Sequence, residues 1–64
     1  MVSPLELVRQ RTAAVREAEE QLKRQRDELR EAVIYAHREG VPIARIAREA
    51  GLSRQYVSGI VHGR

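Results

Sequence analysis

The stretch that decides the fold is IARIAREAGLSRQYVSGIVH, Ile43 to His62. Its first eight residues place Ile43, Ile46, Ala47 and Ala50 at spacings of 3, 4 and 7, the period of one helical face. Gly51 interrupts that period and supplies the backbone freedom of a helix end. Leu52 follows, and Ser53 is a helix-capping residue type. From Arg54 to about His62 the apolar residues are Val57, Ile60 and Val61, again at spacings of 3 and 4. The stretch therefore reads as two short helices joined by a turn of three or four residues. Pro42, just ahead of it, suits the first position of a helix.

Upstream lies one long helix. Ser3-Pro4-Leu5-Glu6 has the form of a capping box, with proline at the first helical position. Val2 and Leu7 stand where a hydrophobic staple would close over it. No glycine or proline follows until Gly40, so the reading is a single helix to Glu39, stopped by Gly40. A helix of about 36 residues would be about 54 Å long. Such a helix needs a partner along its length, because tertiary contact supplies most helical stability.

Val8, Val15, Leu22, Leu29 and Ala36 recur every seven residues, the repeat of a coiled coil. Two second seams are open. One is Leu5, Thr12, Glu19, Arg26 and Val33; the other is Arg11, Ala18, Gln25 and Ala32. The run Ala32-Val33-Ile34-Tyr35-Ala36 is apolar on more than one face. It is read as serving a local core through Leu29, Val33 and Ala36 and a second contact through Ile34 and Tyr35. The dimerisation set is accordingly Val8, Val15, Leu22, Leu29 and Ile34.

Charge divides the chain in the same place. The 64 residues carry a formal net charge of +3. Residues 1–40 hold as many acids as bases. Residues 41–64 hold Arg45, Arg48, Arg54 and Arg64 against Glu49 alone, so the excess lies wholly in the last part. A basic end on a neutral body points to a polyanion as partner.

Over Ile43–His62, and over Leu29–His62 if the preceding helix is included, the chain resembles the helix-turn-helix DNA-binding family. The likeness is to its resolvase-type and sigma-factor-type versions. Ile46 and Ala47 match the buried aliphatic and the small contact residue of the first motif helix. Ala50 and Gly51 match the helix end and turn, Leu52 the apolar residue after it, and Val57 and Ile60 the buried pair of the recognition helix. The resemblance implies docking of the last helix in the major groove of double-stranded DNA.

It places Ser53, Arg54, Gln55, Ser58, Gly59 and His62 toward the bases, with Tyr56 beside them. Arg54 suits guanine O6 and N7, and Gln55 suits adenine N6 and N7. Ser53 can also reach a phosphate at the helix N-terminus. Tyr56 either hydrogen-bonds a phosphate or packs on the first motif helix. Arg45 and Arg48 are candidates for backbone contacts, or simply solvated charge. His62 either touches DNA or sits near the helix end, where the dipole favours a positive charge. Gly59 either permits close approach to DNA or is a tolerated helix defect.

The expected architecture is all-α. Residues 1–28 form an extended oligomerisation helix, and residues 29–64 a three-helix DNA-binding head whose first helix continues the long one. The expected head core is Leu29, Val33, Ala36, Val41, Ile46, Ala47, Ala50, Leu52, Val57, Ile60 and Val61. Sixty-four residues make one small domain with little room for a catalytic cleft. Cysteine is absent, which removes disulfides and thiolate metal sites. The two histidines, His37 and His62, are too few for a convincing zinc site. No segment has the length of a membrane span or the pattern of a secretory signal.

The expectation is a non-enzymatic, cofactor-free cytoplasmic protein associated with the nucleoid. It would be a homodimeric transcriptional regulator with no small-molecule ligand. The alternatives are a low-specificity nucleoid or DNA-partitioning protein, and an adaptor that binds another protein through its long helix.

Overall fold

The computed structural model describes residues 1–63, and Arg64 lies outside the described residues. The chain is all-helical: α1 spans Pro4–Arg38, α2 Ile43–Ala50 and α3 Arg54–Val61. It is a rod with a small head, 57 × 19 × 16 Å. Every residue from 1 to 32 is exposed, so most of α1 touches nothing else in its own chain.

Short-range chemistry sets the helix ends. The Ser3 hydroxyl oxygen accepts the Glu6 N–H at 3.1 Å. The Glu6 carboxylate does not complete the capping box. It pairs instead with Arg9 Nη1 at 3.2 Å, one turn on. Val2 and Leu7 both remain exposed.

α1 ends at Arg38, one residue before the expected Glu39, which caps it. Gly40 then takes φ +93°. Its N–H donates to the His37 carbonyl at 3.0 Å, and the Val41 N–H donates to the Ala36 carbonyl at 3.1 Å. This is the Schellman pattern, which satisfies carbonyls that the helix leaves open. The same pattern closes α2. Gly51 takes φ +68°, and the Leu52 N–H donates to the Ala47 carbonyl at 2.9 Å.

An added Cβ at Gly51 would meet nothing within 4 Å, so only the backbone opposes a side chain there. Gly51→Ala is expected to cost about 1 kcal/mol through the left-handed conformation. Thermal melting should show a fall of about 4–8 °C in Tm.

The head core is Val33 from α1, Ile46 and Ala47 from α2, and Val57 and Ile60 from α3. Ile34, Ala36, Val41, Ile43, Leu52 and Val61 are half-buried against it. Three of the expected placements change. Leu29 is 40% exposed and Ala50 is exposed, so neither belongs to the buried core. Ile34, expected to serve a second contact, packs on the head instead. The reason is that α2 and α3 both lean on the last turns of α1, so the head uses a wider arc of that helix than one seam. Tyr35 does point away, at 65% exposed. No polar or charged residue is buried among the described residues.

Candidate nucleic-acid interface

α3 follows α2 after the Gly51 turn and presents its apolar side, Val57 and Ile60, to the core. Its other side is thereby forced outward. Gln55, Ser58, Gly59 and His62 line one shallow depression there. They come together because positions three and four apart share a helix face. Arg54 and Tyr56 are exposed on either side of Gln55 in the first turn, Tyr56 at 55%. Tyr56 is therefore not packed away against α2.

Ser53 is the cap of α3. Its hydroxyl oxygen accepts the Tyr56 N–H at 3.0 Å. That bond occupies an oxygen lone pair but leaves the hydroxyl proton free to donate. The remaining N–H groups of the first turn face outward, where the helix dipole favours an anion. Arg54 adds a full positive charge at the same end.

The two arginines of α2 separate. Arg45 and Glu49 line an apolar groove of about 280 Å³ between α1 and α2, with Leu29, Ala32, Val33, Ala36, Val41, Ile46 and Ala50. Arg45 is thus not brought to the α3 depression. Arg48 is exposed and does not line that groove. Arg64 lies outside the described residues.

His37, weighed in the sequence only as a zinc ligand, was not placed beside the α3 face. It is half-buried on α1, and its ring lies edge-on to that of His62, with centroids 6.2 Å apart at 74°. The end of the α3 face thus abuts α1. Nothing local marks His37; only the fold brings it to His62.

Of the expected dimerisation residues, Val8, Val15, Leu22 and Leu29 are exposed along α1, at 59%, 54%, 49% and 40%. Ile34 is not with them. No cluster of three or more metal-binding side chains occurs among the described residues, and no helix among them is long and apolar enough to cross a membrane. No protein-family model, curated protein or solved structure matches the chain.

Proposed function

We propose that the chain is a small homodimeric DNA-binding protein, most simply a transcriptional regulator. Its α3 would insert into the major groove, and it would act in the cytoplasm on the nucleoid without cofactor or catalysis. The observation that carries this reading is the outward face of α3. A short capped helix follows a tight glycine turn and sets Gln55, Ser58, Gly59 and His62 around one depression, with Arg54 exposed at its first position. These are donors and small residues, the types that approach base edges and phosphates. The helix-turn-helix resemblance assigns the same residues the same task.

Arg54 is the main base reader and Gln55 the second. Ser53, Tyr56 and Arg48 take phosphates. Arg45, beside Glu49 over the α1–α2 groove, contributes charge from further away.

A head this small gains from being doubled, since two linked heads raise each other's effective concentration without new contacts. The exposed valine–leucine stripe on α1 is the surface for that. Leu22→Glu is expected to convert the dimer to monomer in sedimentation equilibrium and to weaken DNA binding at least tenfold. A wild-type chain that stays monomeric at every concentration would overturn the dimer.

A second reading is a low-specificity architectural or DNA-partitioning protein. It draws on the side-chain-poor patch at Ser58 and Gly59, which leaves few long base readers. An adaptor role for α1 is a third. Selection from a random DNA library at fixed salt separates them. An enriched palindrome supports the regulator, uniform recovery supports coating, and no recovery at all leaves the adaptor.

A further inference from the structure

The groove between α1 and α2 is lined mainly by apolar side chains. It is also continuous with the exposed stripe of α1. Leu29 belongs to both, and Ala36, next in the heptad repeat, is half-buried and lines the groove. That continuity identifies which side of α1 a partner covers. Val33, the last member of one possible second seam, is only 3% exposed and is used inside its own head. Ala32, the last member of the other, is exposed and lines the open groove. The available surface is therefore Val8, Val15, Leu22, Leu29 and Ala36 together with Arg11, Ala18, Gln25 and Ala32.

We infer that this surface is covered by the same surface of a second copy running antiparallel, with each groove receiving part of the partner's α1. The inference rests on the dimer of the preceding section and adds its orientation and register. Charge decides the orientation. In a parallel, in-register pair Arg11 would meet the partner's Arg11 within the seam. The flanking Glu19 and Arg26 would face the partner's Ala14 and the partner's Gln21, with no charge to meet.

One antiparallel alignment removes both faults. It sets Leu29 against the partner's Ala18, Val15 against the partner's Ala32, and Ala36 against the partner's Arg11. On the flank, Glu19 then falls opposite the partner's Arg26, and two-fold symmetry makes that pair twice. A shift of one heptad either way would place Glu19 on the partner's Glu19, or Arg26 on the partner's Arg26. Arg11 arrives at the end of the partner's groove, which the partner's Glu49 and the partner's Arg45 both line. The exposed Leu7 and Val8 reach the partner's head where α1 ends.

This alignment also sets the span of the molecule. At 1.5 Å per residue, the two Val33 positions, where α1 enters the head cores, lie about 28 Å apart along the rod. Helix-turn-helix half-sites lie about 34–36 Å apart, a separation of the same order.

The chain has no cysteine among its residues, so single cysteines can be introduced as reporters. Val15→Cys and Ala32→Cys chains, mixed in equal amounts and oxidised, should give mostly the mixed disulfide, well beyond the random proportion in a denatured mixture. Predominance of the Val15→Cys self-disulfide would mean a parallel pair and would overturn the inference. So would a random distribution. A charge swap supplies a second measurement. Glu19→Arg should weaken association about tenfold in sedimentation, and adding Arg26→Glu should restore it; failure of the double variant to recover would count against the register. Neither experiment contains DNA. A chain that forms the mixed disulfide but binds no DNA would refute only the DNA-binding reading. A chain that binds DNA without the mixed disulfide would refute only the antiparallel pair.

Discussion

Val57→Asp should unfold the head and leave the rod. Among the described residues, Val57 is the one side chain with no exposure, at the centre of a core of five buried residues. A carboxylate there would have no partner, because no buried polar group surrounds it. An unpaired buried charge costs several kcal/mol. A core in a chain this short supplies only about 3–5 kcal/mol. The penalty therefore consumes the whole stability of the head. α2 and α3 hold about a third of the helical residues. Far-ultraviolet circular dichroism should lose about that fraction, while the proposed α1 dimer should persist in sedimentation. The milder Val57→Ala should cost about 2 kcal/mol through the cavity it leaves. An unchanged spectrum for Val57→Asp would mean that Val57 is not the centre of the head.

Arg54→Ala should weaken DNA binding more than any other substitution of an exposed head residue. A two-bond contact from arginine to guanine contributes about 1–3 kcal/mol of discrimination. That corresponds to roughly tenfold to a hundredfold in affinity for each head. Arg54 is exposed and occupies the first position of α3, after the Ser53 cap, so its removal should leave the fold and helicity intact. A gel-shift titration at fixed salt reads the effect. Arg45→Ala is the matched control, because Arg45 sits over the α1–α2 groove and not at the α3 depression. It should weaken binding by a smaller factor. Equal losses for the two variants would mean that bulk charge, not the α3 face, binds DNA. An unchanged affinity for Arg54→Ala would remove that residue from the reading head.

The parts of this fold legible in the sequence are those set by neighbours within a few residues. Ser3, Pro4, Gly40, Gly51 and Ser53 mark helix ends because caps and left-handed turns are local interactions. Val57 and Ile60 were readable as core for the same reason, since their shared face follows from helical spacing alone. What periodicity could not supply was the angle at which α2 and α3 lean on α1. That angle draws Ile34 into the head and leaves Leu29 and Ala50 beside an open groove. The site divides the same way. Gln55, Ser58 and Gly59 lie on α3 and His62 caps its end, so helical spacing made them legible together. Arg45 and Arg48 shared a description as outward residues of α2, yet α1 covers one flank of that helix and so sends Arg45 to the groove. His37 reaches His62 only through tertiary packing.

The uninterrupted course of α1 has one more consequence. No glycine or proline breaks it between Leu5 and Arg38, and its final turns are themselves part of the head core. The chain therefore has no swivel. α3 is set at a fixed azimuth around the rod, as a tooth is set on a shaft. A single inserted residue in α1 would turn that tooth by about 100°, whereas seven would advance it by about 10 Å and nearly restore its bearing. Whatever fixes the rod thus fixes the direction in which the outward face of α3 points.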